Sequence, residues 1–328
     1  MSEVMGMTKV WKASELQTAQ RASWLAKGWL PRAAVSVLVG DEGIGKSLFW
    51  LTLAAAITTG KPIPELGIPV RDPQVVVLVI TEDDWGNTVL PRLQVAGADL
   101  DHIRVLCGDG NGGGAPEFPR DLAIIKAMDE KPALVVVDTW IDTLANGVSV
   151  NGAQAARKAL LPMKELATRT GASVLLMTRT NRNKTKNARD KYGISAEIRK
   201  AVRMALLAQL DDEGLLTVGP EKTNTSELCK AARFSVKKIQ HSEPSEESDG
   251  TAPSLLFEGE SQHTARELLA VAVESDTAGN DRQDRVEAVN WLQGYLEADR
   301  AARSLLTRRM RAGLRASHCG HRSVPVRI

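Results

Sequence analysis

The chain has 328 residues, 43% hydrophobic and 25% charged, which is length for about two ordinary domains and excludes a collagen-like repeat, a disordered tail protein and a disulfide-dense scaffold. Cys107, Cys229 and Cys319 stand far apart with no CxxC pair, which argues against a disulfide framework or a zinc ribbon and for a reducing cytoplasm. The 42 basic and 40 acidic side chains leave only +2, but that total is segregated: residues 1–240 carry +5, residues 241–299 carry −11 and residues 300–328 carry +8.

The opening MSEVMGMTKV has no apolar core of signal-peptide type, and the longest charge-free apolar stretch, 47–60, is 14 residues, too short to span a membrane. No membrane partner is expected. Residues 1–28 are predicted as an N-terminal helical segment with a capped, Trp-bearing stretch from Ser14 to Trp29. The run 34–39 (AVSVLV) then reads as a buried strand, because it is short, rich in β-branched residues and ends at a glycine. A helix is predicted from Gly45 or Lys46 to Thr59, stopped by Gly60 and Pro62. Strands are predicted at 75–81, 103–107, 133–138 and 173–178. Helices at 85–96, 121–130 and 153–170 separate them, the last with Asn151 as N-cap and Gly171 beyond its end. Such alternation predicts an α/β fold with a mostly parallel sheet covered by helices on both faces. Residues 202–209 and 215–219, around the turn 211–214, predict an antiparallel edge hairpin. The glycine-rich 108–114 and the polar 242–250 (SEPSEESDG) read as loops. The predicted domains are therefore 1–28, a main α/β domain at 29–241, an acidic linker at 242–260, and a small helical, basic C-terminal region at 261–328.

Directly after the first strand, Gly40-Asp41-Glu42-Gly43-Ile44-Gly45-Lys46-Ser47 fits GxxxxGK[ST] in full. Glycines let successive backbone N–H groups turn inward around phosphates, and the following helix adds the positive end of its dipole. Residues Gly40 to Leu48 are the expected nucleotide-binding set, with Lys46 on the β- and γ-phosphates and Ser47 on Mg²⁺. A second metal-binding acid is expected at Asp138, where the buried strand LVVVD ends at the sheet's C-terminal edge. Glu82, one residue past the strand at 75–81, is the candidate that activates water. Asn183-Lys184-Thr185-Lys186 lacks the aspartate of a GTPase NKxD segment. An acid on the strand after the P-loop helix suits ATP hydrolysis better than small-molecule phosphorylation. Trp85 and Trp140, which follow the two acids, are either core anchors or part of the nucleotide pocket.

Several further runs accompany the P-loop: Trp29-Leu30-Pro31 before it, TGKPIP at 59–64, TEDD at 81–84, Arg92-Leu93, VVVDTW at 135–140 and Lys222-Thr223-Asn224. Together they resemble the RepA-type branch of the RecA-fold ATPases, relatives of hexameric replicative helicases, over about residues 20–240. The resemblance implies a ring, expected to be a hexamer, that hydrolyses ATP and acts on single-stranded DNA, with ATP between neighbouring subunits and a replication initiator or primase as a further partner. It implies Glu82 as catalytic base, Asp138 as metal-binding acid and Lys222 as a finger to the neighbour's γ-phosphate. Where that family commonly has histidine, this chain has Arg179, which is open to sensing γ-phosphate or to contacting DNA.

From Arg179 to Arg203 nine basic residues face two acids, a net +7 in 25 residues. Arg182, Lys184, Lys186, Arg189 and Lys191 are the expected contacts to a phosphate backbone. The tail predicts helices at 264–274, 281–299 and 300–316, the last with six arginines and no acid. His318, Cys319 and His321 lack a fourth ligand and read as a tail. The leading expectation is a motor or loader on DNA. A nucleotide-switched binding protein that unwinds nothing, and a P-loop small-molecule kinase, remain open.

Overall fold

Short β-branched runs carry the sheet. In a computed structural model that describes residues 10, 12–15, 23–148, 150, 152–180, 195–224, 226–246 and 248–270, a two-stranded ribbon, β1 (Trp24–Ala26) and β2 (Leu30–Pro31), precedes a nine-stranded sheet. The nine are β3 (Ala34–Gly40), β4 (Val76–Ile80), β5 (Ile103–Val105), β6 (Leu134–Asp138), β7 (Ser173–Arg179), β8 (Met204–Leu210), β9 (Leu216–Thr223), β10 (Ala232–Gln240) and β11 (Thr251–Glu260). Their order across the sheet is β11-β10-β9-β8-β3-β7-β6-β4-β5. From β8 to β5 every pairing is parallel, and β8 through β11 are joined by antiparallel pairings. The sheet therefore has the predicted α/β, RecA-like character; the expected hairpin (β8–β9) is antiparallel but is not the edge, because β10 and β11 extend the sheet beyond it. β7 lies between β3 and β6, so the ends of these three strands are neighbours although they come from distant parts of the chain.

Helices cover both faces, which is why the parallel strands are apolar on both sides. α1 (Lys46–Thr59) and α2 (Leu90–Val95) pack on one face with Leu38, Leu78, Val136 and Met177. α3 (Leu122–Ala127), α4 (Ala153–Thr170) and α5 (Ser195–Ala201) lie on the side of Val37, Val79, Val137 and Leu176. α1 begins and ends as its sequence predicts, with Gly60 in the left-handed region at φ 71° as its C-cap. From Leu48 to Thr58 every residue but Thr52 is buried, so it has no exposed stripe. The cause is the β10–β11 hairpin, which packs on α1 and α2. Ring centroids of Phe49 and Phe234 are 6.0 Å apart, those of Phe234 and Phe257 5.9 Å, and His241 Nε2 lies 2.6 Å from Gln94 Oε1 of α2.

That hairpin corrects the expected acidic linker at 242–260. Thr251–Glu260 is a strand paired with β10 along its whole length, because Ala252, Leu255 and Phe257 have apolar surface to bury. Only the turn remains of the linker, closed by His241 N–H to Gly250 O at 2.8 Å. Within 1–28, Trp24–Ala26 is a strand rather than a helix, since Leu25 and Ala26 are fully buried against the core, and Ala13–Glu15 is a single 3-10 turn. The N-cap of α4 is Gly152, not Asn151. Helix 265–270 lies inside the predicted 264–274. The predicted helices at 281–299 and 300–316, with His318, Cys319 and His321, lie outside the described residues. Among the described residues no helix is long and apolar enough to cross a membrane.

Candidate nucleotide-binding site

Gly40 ends β3 beside β8, and a Cβ there would sit 2.5 Å from Ala208 O, so only glycine lets the strand turn. Gly43 and Gly45 follow at φ 73° and 97°, conformations that side chains resist. The loop they make leads straight into the N-terminus of α1, and Lys46 Nζ donates to Asp41 O across it. Burial lowers the pKa of Lys46, opposed by the nearby carboxylates of Asp138, Asp41 and Glu82.

Asp138 arrives from the end of β6 and is buried. Its Oδ2 accepts from Ser47 Oγ and from Trp50 Nε1, both at 2.8 Å. Burial pushes this carboxyl up from its ordinary range, and the Trp50 and Ser47 hydrogen bonds pull against that rise. A hydroxyl and a carboxylate side by side beneath a phosphate-binding loop form a hard-oxygen donor set, which suits Mg²⁺.

Glu82 lies two residues beyond β4 and is ion-paired with Arg179, the last residue of β7. The other arm of that guanidinium donates to Glu42 Oε1 at 2.6 Å, and Thr180 Oγ1 donates to Asp41. Glu82, Arg179 and Glu42 line one cleft of 570 Å³. Glu42 to Leu48 form its floor, and Glu82, Asp83, Arg92, Asp138 and Arg179 its polar wall. The opposite wall is apolar: Leu210, Val236 and Pro253, from β8, β10 and β11. Arg92 of α2 donates to Asp83 at 3.1 Å.

Three parts of this site escape a reading by motif. Trp50 falls three residues after Ser47, so a helical α1 puts it on the same face, and that spacing was the available signal. The apolar wall had no signal, because β10 and β11 were not recognised as strands. Arg92 stood in a quoted run without a role. Neither Trp85 nor Trp140 lines the cleft: Trp140 is buried in the other core layer, and Trp85 packs under Gly112.

Lys222 is elsewhere. It pairs in register with Ala205 near the start of β8, toward the N-terminal edge of the parallel strands. Its Nζ donates to the carbonyls of Arg199, Lys200 and Val202 at 2.8, 3.0 and 2.9 Å, closing the end of α5. Beside it, Glu221 is ion-paired with Arg199 in a nearly dry setting, and Lys164, Lys200 and Arg203 line a separate cavity of 400 Å³. Arg182, Lys184, Lys186, Arg189 and Lys191 lie outside the described residues.

A glycine-rich turn from strand to helix, a Lys-Ser pair at its end and a buried strand-end aspartate bonded to that serine define a P-loop nucleotide-binding protein of the α/β class. The AAA domain family model matches residues 3–184, and the chain belongs to that family: it is a P-loop ATPase of AAA type. No curated protein matches it.

Proposed function

We propose that this ATPase is a RecA-fold motor or loader that works on DNA in replication, assembled as a ring, with ATP hydrolysis as its energy source. The observation that carries this reading is the pair of acids at one P-loop: Asp138 bonded to Ser47 at 2.8 Å and Glu82 on the facing wall of the same cleft. The division suits hydrolysis, because one carboxylate supports the cation and the other remains to accept a proton from water. Lys46 and the loop N–H groups hold the phosphates, and Glu82 takes the proton of the attacking water at its carboxylate oxygen. Ser47 and Asp138 would hold Mg²⁺, which would supply positive charge to offset the negative charge of the phosphates.

Two further observations support assembly and a polyanionic partner. Lys222 lies outside the cleft of its own chain, beside Lys164, Lys200 and Arg203. The three donors of Lys222 are taken by the carbonyls of α5, so charge complementarity to the acidic rim of Asp41, Glu42, Glu82 and Asp83 in a neighbouring copy rests on Lys164, Lys200 and Arg203. The +7 segment begins at Arg179, on the cleft wall itself.

The test is the ATPase rate of the full chain with and without single-stranded DNA, together with the mass of the assembly. Stimulation by DNA, a ring mass, and loss of hydrolysis in Glu82→Gln with ATP still bound are expected. A monomer whose rate ignores DNA sinks the reading. A ring that hydrolyses ATP but displaces no strand reduces it to a nucleotide-switched binding protein.

A further inference from the structure

We propose that Asp142 is a positioning residue of the hydrolytic site: its carboxylate clasps the threonines beside the two acids and so sets where Glu82 stands relative to Asp138. The proposal rests on the reading of Glu82 as general base.

The two acids occupy matching places in the chain. Thr81 and Glu82 follow β4, Asp138 and Thr139 close β6, and the two strands are parallel neighbours with Ile80 opposite Asp138. The ladder runs one step past the strand, Thr81 N–H donating to Asp138 O at 2.8 Å. Side chains then take over. Thr139 N–H donates to Thr81 Oγ1 at 2.8 Å, Thr139 Oγ1 donates to Asp142 Oδ2 at 2.5 Å, and Thr81 Oγ1 lies 3.2 Å from that same carboxylate oxygen. The one proton of the Thr81 hydroxyl also has Asp138 O at 3.2 Å and Thr139 O at 3.4 Å within reach, but a carboxylate is the stronger acceptor. One oxygen thus serves both strand ends.

Asp142 holds this place because its own turn is anchored. It lies on the 3-10 turn Ile141–Thr143, flanked by Trp140 and Thr143, each only 1% exposed. Thr143 Oγ1 donates to Trp140 O at 2.7 Å, and Phe118 N–H donates to Thr143 O at 2.7 Å. The turn therefore returns its carboxylate to the residue three places back. Thr139 is buried and lines the nucleotide cleft with Glu82 and Asp138, whereas Asp142 is exposed and outside that lining. Asp142 acts on the chemistry only through Thr139 and Thr81.

Magnitudes separate this role from an ordinary turn cap. Hydrogen bonds to an exposed carboxylate stabilise a fold little, since water replaces the lost partner and no charge is left buried. Geometry is more demanding: a displacement of about 1 Å at a reacting centre costs about a hundredfold in rate, and half of that about tenfold. A strand end released from the clasp moves on that scale. Loss of Asp142 is therefore expected in kcat and hardly at all in stability.

The experiment measures steady-state ATP hydrolysis and thermal melting of the full chain in Asp142→Ala, Asp142→Asn, Thr81→Val and the double variant Asp142→Ala with Thr81→Val. Asp142→Ala is expected to lower kcat about tenfold, with KM for ATP and Tm close to wild type. Asp142→Asn keeps an oxygen for the same two hydroxyls and should stay within about threefold of the wild-type kcat. Adding Thr81→Val to Asp142→Ala should slow hydrolysis by less than about twofold more, because both changes break one link. Thr81→Val opens the clasp from the other side and carries the test if Asp142→Ala does not fold. A fall in Tm with kcat unchanged shows a turn cap and overturns the proposal. So do equal losses in the Asn and Ala variants, a change confined to KM, or full additivity of the two single losses. Undiminished hydrolysis in Glu82→Gln overturns the base reading, whereas an inactive Glu82→Gln beside a fully active Asp142→Ala overturns the clasp alone, so the two failures are distinguishable.

Discussion

The indole Nε1 of Trp50 donates to Oδ2 of Asp138 at 2.8 Å, across 88 positions of the chain. Trp50 is fully buried in α1 and Asp138 closes β6, so a core side chain of the P-loop helix sets the carboxylate of the candidate metal site. Trp50→Phe keeps most of the packing and removes one donor from a buried charged group. A loss of about 2 kcal/mol is expected, read from urea unfolding at constant m-value.

Asp138→Asn tests the same site from the other side. Burial raises the folded pKa of Asp138 above its unfolded value, with Trp50 and Ser47 opposing the rise. The folded chain then holds the proton more tightly than the unfolded one, and the ionised carboxylate is a cost that grows as pH rises through the folded pKa and vanishes on acidification below the unfolded pKa. The nucleotide-free Asn variant should therefore have a higher Tm than wild type at neutral pH, while Mg²⁺-dependent hydrolysis is lost. A lower Tm would contradict this.

Gly40 and Gly43 are both P-loop glycines, but for different reasons. A Cβ at Gly40 meets Ala208 O at 2.5 Å and Ala208 Cβ at 3.1 Å, whereas one at Gly43 meets nothing within 4 Å and pays only for its φ of 73°. Gly40→Ala should cost about 3 kcal/mol by overpacking against backbone, and Gly43→Ala about 1 kcal/mol. Chemical denaturation of the two variants checks the ranking.

Glu221 and Arg199 form a pair with side chains only 4% and 14% exposed, and Arg266 donates to the Glu221 carbonyl at 3.0 and 2.8 Å. Removing one partner leaves the other charge buried. Glu221→Ala should cost about 3–5 kcal/mol. Because Arg199 sits on α5, the amides of that helix should lose protection from hydrogen exchange more than those of β3.

Val236 is 51% exposed and lines the apolar wall opposite the P-loop. Val236→Asp removes little buried surface, since the side chain is half exposed, but sets a negative charge in a cleft that must receive phosphates. An increase of about tenfold in KM for ATP is expected, with Tm nearly unchanged. A large fall in Tm with no change in KM would show that the wall serves packing rather than the nucleotide.

Much of the fold was legible because local rules were unopposed. The P-loop strand, the start and stop of α1 and the run 134–138 follow from burial, glycine and caps. β11 was hidden: its strand, TAPSLLFEGE, carries a proline and ends in two acids around a glycine, and follows a turn whose acids dominated the composition. The strand exists because α1 offers an apolar side to cover, which no window of ten residues reveals. The same holds for Trp24–Ala26, whose neighbours in the chain look like the start of a helix.

By itself the sequence determined the phosphate loop, the two acids and an α/β frame, since each depends on residues a few positions apart. Tertiary structure alone decided who stands next to whom. Placing β7 between β3 and β6 brings Arg179 onto Glu42 and Glu82, and folding β10–β11 over α1 supplies the apolar wall of the cleft. It also holds Lys222 against the end of α5, away from its own nucleotide cleft. Strand order and the packing of the β10–β11 hairpin on α1 set these encounters. They arise from the burial of whole faces, a property of the assembled chain that leaves no local mark in the order of its residues.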